Sequence, residues 1–568
     1  LIALAGDEIR LAQGTYTYQL ALDPCSASLG TTAVVCVVNR AAKIRGGFNG
    51  VQWDAPQFGP GATVLSGENL RRVVLAEDTD ANPARTVLEL SNLTVANGRA
   101  TPRTAGTGDA LLFAFGGGLE ALWAKVVLRD VVFSSNVAIG AASGGPYGGV
   151  GAGGAVSLRQ APSGSLLERV TFLGNQAVGG NGSIRGGFAI GGALFTYRSI
   201  LTGQDWLLLN NSSLAGSSNG SGFFGGELAD GQGGAIAFQL GTQATVDRLI
   251  VGHNAALGGG ANSGSGTGGG AFGGGIFLEG GSGADATSVT LRDLRLEANE
   301  ARGSSSAYNG GYASGGGLQA TNATVVVERA TVLSNLARGG DGTGGGSQGS
   351  ASGGGLAFAR STIPATATVR DSVIADNEVH PGSGGILGGG GGGVWVQGMQ
   401  ATLNHVTLAA NRLSASYLQG QGLIALSWVD PAQVNLVNSI VSDHTVPAGP
   451  SALHVQAGNF LTYQTVLDAA NTDLSNEGDP GAGTFSGQAT LVTAPSVQYR
   501  APAAPQLNFR LNFGSPARDA AVGSTSSLDA DHRPRDSTPD LGAFEYSSGW
   551  IFQENFELQE FGGWLPQP

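Results

Sequence analysis

Lysine is almost missing from this sequence: Lys43 and Lys125 are the only two in 568 residues. Charged residues of every kind make up 12%, and acids outnumber bases 42 to 29, giving a formal net charge of −13. Nucleic acid and anionic membranes are held by clustered Lys and Arg, so neither is an expected partner. Cysteine is reduced to Cys25 and Cys36. Their closeness reads as a disulfide formed in an oxidising compartment, against the alternative of two unpaired thiols. No run of ~18 consecutive apolar residues exists, so no transmembrane helix is expected. Proline is low at 21 and no Gly-X-Y period runs through the chain, which excludes collagen. Apolar i, i+3, i+4, i+7 patterns do not persist, which excludes an α-solenoid. His-Glu-x-x-His, P-loop and Gly-x-Ser-x-Gly signatures are absent as well.

What the sequence has is glycine, 97 residues of it, interrupted on schedule by aliphatic residues. A doublet recurs every ~40 residues, a period that signals a solenoid. Its first half is a glycine step with one aliphatic residue, as in Gly116 to Leu119, Gly153 to Val156, Gly191 to Leu194, Gly233 to Ile236, Gly273 to Ile276, Gly315 to Leu318, Gly353 to Leu356 and Gly391 to Val394. Its second half is a short apolar run ending in asparagine. Those asparagines are Asn97, Asn136, Asn175, Asn254, Asn299, Asn335, Asn377 and Asn411.

Strands of three to five residues with glycine turns are too short for hairpin sheets. The expected fold is all-β: a right-handed parallel β-helix with a C-terminal capping or anchoring segment. Each unit then buries its apolar face against its neighbours. Residues 1–86 read as opening coils with the cysteine loop, 87–445 as the regular array, 446–500 as irregular final coils and 501–568 as the C-terminal module. Three strands per turn and two coils per repeat predict on the order of 16 coils and a rod of roughly 80 Å. Asparagine tolerates left-handed backbone and bonds turn amides, so the eight asparagines are expected to stack as a ladder.

The Gly-Gly-aliphatic and Phe-x-x-Asn doublet resembles the repeats of the polymorphic outer-membrane-protein family. The run Gly514-Ser-Pro-Ala-Arg518-Asp519, then Asp529 to Arg535, then Pro539-Asp-Leu-Gly-Ala-Phe544-Glu545 resembles the ending of the choice-of-anchor Q group of exported bacterial proteins. Gly6-Asp7-Glu8-Ile9 to Tyr16 is similar to that group's opening coil. The resemblance implies an exported, surface-associated or extracellular β-helix and implies no substrate; the opening at Leu1 without an initiator methionine is what an exported chain after signal-peptide removal is expected to look like. The outer-membrane family carries a translocating barrel, and no strand series of that kind fits in residues 501–568.

A polysaccharide lyase would gather carboxylates for Ca²⁺ beside a base, and a hydrolase would pair carboxylates on adjacent coils. Asp130, Asp247, Asp293 and Asp371 read as one outward row, each neutralised by its sequence neighbour Arg129, Arg248, Arg292 or Arg370. Asp529, Asp531, Asp536 and Asp540 are the weak candidates for Ca²⁺, against salt bridges to Arg533 and Arg535. No other cofactor is expected. His253, His380, His405, His444, His454 and His532 read as turn or surface residues. Asn471-Thr472-Asp473 matches one short polygalacturonase element by chance. Tyr147, Phe223, Phe224, Tyr308 and Tyr312 in the glycine-rich loops could stack on sugars or anchor the loops.

The function expected is a non-enzymatic extracellular or cell-surface structural or adhesive protein. Its partners are further copies of itself, in filaments or a surface layer, or surface-matrix components. The alternative is a secreted β-helix that binds or degrades polysaccharide.

Overall fold

The computed structural model describes residues 7–18, 32–82, 85–103, 112–142, 146–218, 229–261, 266–343, 346–361, 363–383, 389–415, 418–427, 430–444, 452–456, 459–469, 484–487, 491–494, 496–503 and 506–547. Among these the strands form parallel sheets of 18, 12, 9 and 7 strands and one antiparallel pair. The fold is a right-handed parallel β-helix. Among the described residues no helix is long and apolar enough to cross a membrane.

Each coil visits the sheets in a fixed order. One coil runs Ala114–Phe115, Leu119–Leu122, Lys125–Ser134 and Val137–Ile139. The next runs Gly151–Ala152, Val156–Arg159, Ser165–Leu173 and Gln176–Val178. Leu119 pairs with Val156, and Val156 with Leu194, so one repeat is one coil. The expectations of three strands per turn and two coils per repeat are corrected. The 12 strands of the four-residue sheet make a stack of roughly 50 Å at ~4.8 Å per step.

The reason lies in where the two halves of the repeat meet. Glycine step and asparagine face each other across a single coil. A Cβ on Gly275 would lie 3.1 Å from Asn299 Cγ, and one on Gly355 would lie 3.1 Å from Asn377 Cγ. The step also opens in left-handed backbone, with φ +63 at Gly153 and +64 at Gly273, where a side chain is strained.

This corner gives the cross-section two lobes. The thick lobe lies between the four-residue and ten-residue strands. Its core is aliphatic and aromatic, with Leu194, Val251, Phe358 and Leu408 buried; Phe133 stacks on Phe172 at 5.3 Å. The thin lobe, or wing, lies between the two- and three-residue strands. Its interior is mostly alanine: Ala256, Ala271, Ala301, Ala313, Ala337 and Ala351.

The glycine-rich excursions extend the wing as an ordered ply. Outgoing and returning segments alternate along the rod and bond each other. Gly180 N–H donates to the Gly149 carbonyl at 2.8 Å, Gly187 to Gly180 at 2.7 Å and Gly216 to Gly187 at 2.9 Å. The pattern recurs at Gly269 to Gly259, 2.8 Å, and Gly349 to Gly340, 2.8 Å. A Cβ on Gly187 would sit 1.8 Å from the Gly149 oxygen, so only glycine admits this packing.

The C-terminal module covers the side of the rod. Tyr499–Ala501 pairs antiparallel with Asn508–Leu511. Val497, Phe509, Leu511 and Phe544 pack on the outward residues Leu333, Val373, Ala409 and Ile440 of the long strands.

Candidate functional site

Three axial columns of polar side chains and the module docked beside them hold most of the organised chemistry among the described residues. The first column is an asparagine ladder through Asn136, Asn175, Asn211, Asn254, Asn299, Asn335, Asn377 and Asn411. From Asn136 to Asn377 each Nδ2 donates to the Oδ1 one coil on, at 2.9–3.0 Å. Each Nδ2 also donates to a carbonyl of the preceding coil, at 2.8–3.1 Å. Backbone amides share the same Oδ1 acceptors, as Asn299 N does with Asn335 at 3.0 Å. The buried asparagine amides at this corner are thereby satisfied largely from their own column.

Two corrections follow. Asn97 is outside the ladder: it holds the preceding turn position at φ +52, and Gly98 N is what donates to Asn136 Oδ1, at 2.9 Å. Asn211 belongs to the ladder. Its signal was the pair Asn210-Asn211 after Leu207-Leu-Leu, which mirrors Phe172-Leu-Gly-Asn175. The upper end closes on His444, whose Nδ1 accepts from Asn411 N at 3.2 Å. His444 is therefore a buried ladder cap, and burial holds its pKa down at about 4.

The second column lies where each ten-residue strand bends. The bend residue has positive φ in ten successive coils: Asn92, Asp130, Arg169, Asp205, Arg248, Asp293, Arg329, Asp371, His405 and Asn438. Side chains of opposite charge alternate along it and pair between coils. Arg169 meets Asp130 at 2.6 Å, Arg248 meets Asp205 at 2.5 Å and Arg329 meets Asp293 at 2.7 Å. The residues before the bends form a third column, whose charges alternate apart from the neutral Gln204 between Glu168 and Asp247. There Arg129 meets Glu168 at 3.2 Å, Arg292 meets Asp247 at 3.2 Å and Glu328 at 3.3 Å, and Arg370 meets Glu328.

The second and third columns form a checkerboard of charge. The expected single row of Asp130, Asp247, Asp293 and Asp371 is corrected, because Asp247 pairs in register with Arg292 and belongs to the third column, one position before the bend residues. The partners also sit mainly one coil away, since successive side chains of a strand diverge while stacked ones lie one inter-strand spacing apart.

The alternation fails at Asp371. The next bend residue is His405, not arginine, and the missing cation comes from the C-terminal module. Arg535, 9% exposed, reaches Asp371 at 3.0 Å and Glu545 at 3.1 Å. Ser526 Oγ donates to Asp371 at 2.6 Å, and Ser524 bonds His405 Nε2 at 2.7 Å. Asn438 exchanges bonds with Val522, and Gly542 N donates to its carbonyl at 2.8 Å. Burial, helped by Arg535, holds the His405 pKa down at about 3. Burial pushes Asp371 up, against the pull of Arg535. His405 is thus a docking residue of the core, not a surface one.

The four aspartates named for Ca²⁺ are occupied separately. Asp529 accepts from Arg533 N at 2.7 Å and Glu545 N at 2.8 Å. Asp540 accepts from Asp519 N at 2.7 Å and from Tyr546 N. Asp531 pairs with Arg510 at 2.6 Å and Arg533 at 3.3 Å, and Asp536 accepts from Thr538 N at 2.7 Å. Among the described residues no group of three or more His, Cys, Asp and Glu side chains could hold a metal ion.

Cys36 lies on Ala33–Val38 and is disulfide-bonded; Cys25 falls outside the described residues, as do Asn471-Thr472-Asp473, Phe223 and Phe224. Tyr147, Tyr308 and Tyr312 are exposed at 52%, 46% and 46%.

A buried charge cluster near the lower end carried no sequence signal. Arg72 reaches Glu120 at 2.8 Å, and Arg103 reaches Glu77 at 2.7 Å and Glu120 at 2.9 Å. Burial raises the Glu120 pKa, but Arg72, Arg103 and Arg159 outweigh it and hold it at about 2.

No protein-family model matches the chain, and no curated protein matches it. Among solved structures, the chain is similar to pectate lyase Pel9A at 13% identity, over 92% of this chain and 98% of that chain, with a TM-score of 0.31. It is similar to PfbA, a surface adhesin of Streptococcus pneumoniae, at 9% identity over 86% of this chain and 85% of that chain, with a TM-score of 0.27.

Proposed function

We propose that this β-helix is a non-enzymatic structural or adhesive rod, working outside the cell or at its surface. The observation that carries the reading is the charge checkerboard. A polysaccharide-cleaving β-helix would keep two or more carboxylates poised for metal or proton transfer. Here most of the outward acids of the long sheet are committed to arginines one coil away, with Asp371 held by Arg535 of the C-terminal module, and the charge serves to stack the rod. The partners proposed are further copies of the chain, in filaments or a layer, or components of a surface matrix.

Light scattering and negative-stain imaging of the purified chain, with a turnover screen on a glycan panel, test this. The expected result is no turnover, together with end-to-end or side-by-side assemblies or retention on surface-matrix material. Turnover abolished by replacing one acid would overturn the non-enzymatic reading. A monodisperse monomer that binds no matrix material would overturn the structural one.

A further inference from the structure

We infer that the notch between wing and thick lobe binds an extended, neutral polysaccharide lying parallel to the rod axis. The inference deepens the adhesive reading and rests on it for where such a ligand is met. The glycine corner turns the outward faces of the two-residue and four-residue strands toward each other. Phe195, Ala237 and Phe277 from one wall and Ala152 from the other are buried there, with Ile190, Tyr197 and Phe272 packed against them.

Three features identify the ligand. The first is aromatic surface. Phe195 and Phe277 are 5% and 4% exposed and form the floor, while Tyr197, Phe272 and Trp395 stay half-buried at the sides. Tyr197 and Phe272 stand two coils apart, ~10 Å at the ordinary strand spacing, which is roughly the length of a disaccharide in an extended chain. Ring faces at that interval suit the apolar faces of alternate sugars.

The second is unmet polarity. Ser314 Oγ, Gln319 Oε1 and Trp395 Nε1 are buried without a hydrogen-bond partner. All three sit on notch-facing positions, because their strand neighbours Ala313, Leu318 and Val394 point into the two cores. Such atoms are rare in a folded chain and call for a partner. Sugar hydroxyls, donor and acceptor at once, suit this mixed set.

The third is charge. The wall strands from Leu194–Tyr197 up to Val394–Gln397 carry no Lys or Arg and one acid, Glu279. The arginines that follow two of these strands are paired, Arg198 (5.3 Å over the Tyr197 ring) with Asp285 and Arg360 with Asp430, so an anionic chain finds no unpaired cation along them. Amides serve instead, and Gln239 Nε2 donates to Gln232 Oε1 across the notch at 2.9 Å. The lower end is closed by Arg159, which lies 3.8 Å over the Phe115 ring.

Affinity electrophoresis of the purified full chain tests the site, using gels with a neutral β-glucan, a neutral mannan or polygalacturonate. Retardation is expected on a neutral polymer and not on polygalacturonate. Tyr197→Ala and Trp395→Ala should weaken it tenfold or more, and Trp395→Phe, which keeps a ring but removes the Nε1 donor, by less than Trp395→Ala, while the loop variants Tyr147→Ala and Tyr308→Ala should leave it within twofold. Each variant is first shown to melt with the parent. If Trp395→Ala melts early, the Trp395 contribution to an emission change on adding glycan, isolated with Trp395→Phe, takes its place. No retardation on either neutral polymer, retardation only on polygalacturonate, or loss confined to the loop variants would overturn the inference. Binding without turnover leaves the structural reading intact, and turnover with the site confirmed would overturn that reading alone.

Discussion

At the residue scale, identical side chains do different work one position apart. Asn97 and Asn299 follow the same kind of apolar run, but Asn299 sits within the ladder and Asn97 in the turn before it. Asn299→Gly removes bonds to Asn335 and to the Val251 carbonyl and strands the donors of Asn254. The expected cost is roughly 2–4 kcal/mol, since each buried unmet group costs ~1–3 kcal/mol. Asn97→Gly places glycine at φ +52, so a change within ~1 kcal/mol is expected. Urea unfolding of the two variants separates them; equal losses would mean the ladder carries no stability.

The buried histidines belong to this scale too. Their ordinary value is 6.5, and the folded chain holds His405 at about 3 and His444 at about 4. Folding therefore favours the neutral ring. The stability they contribute is fully present above pH 6.5 and is lost as pH falls through the folded values. Burial raises the carboxyls of Asp371, Asp529, Asp540 and Glu545; as raised acids they lose stability with rising pH and offset part of the trend at its acidic end. The urea midpoint should fall on acidification below pH 6.5, and His444→Asn, which offers the ladder a further amide, should flatten that fall. An unchanged slope in this variant would remove His444 from the account.

At the scale of the element, a strand must fit its coil. Ile200–Leu209 carries Trp206 where neighbouring coils carry Val170 and Leu249. The indole fits because Gly203 stands inward in the same strand, and a Cβ there would lie 2.2 Å from the ring. Trp206 Nε1 still finds the Leu167 carbonyl at 2.8 Å. Gly203→Ala alone should therefore destabilise by more than ~2 kcal/mol through overpacking. In the Trp206→Leu background it should cost much less. Additive effects in that double-mutant cycle would show that the two positions are not coupled. In the sequence this reads only as a glycine breaking a strand; the compensation needs the coil's cross-section.

At the scale of the molecule, a solenoid localises damage because each coil touches only its neighbours. Arg535→Ala leaves Asp371 buried without its cation, a loss of about 3–5 kcal/mol for a buried pair. The expected result is faster amide exchange over residues 496–547 and the coils beneath them, from Leu333 to Ile440. Coils near Val156 should keep their protection. Uniform loss along the rod would contradict this.

The sequence by itself determined the repeat, the all-β class, the glycine step and most of the asparagine ladder. Those are local in kind: a period, a backbone conformation that favours glycine, and a side chain suited to a turn, each legible without knowing what lies beside it. It did not determine that Asp247 and Asp293 stand in different columns, that His405 and His444 are buried, or that Arg535 completes a charge series begun some four hundred residues earlier. One coil per repeat was likewise invisible, because it depends on glycine and asparagine packing across an interior. Tertiary structure decided these points. Stacking brings together residues a full coil apart, and the module's return along the flank joins Arg535 to Asp371, a contact that no spacing in the chain encodes.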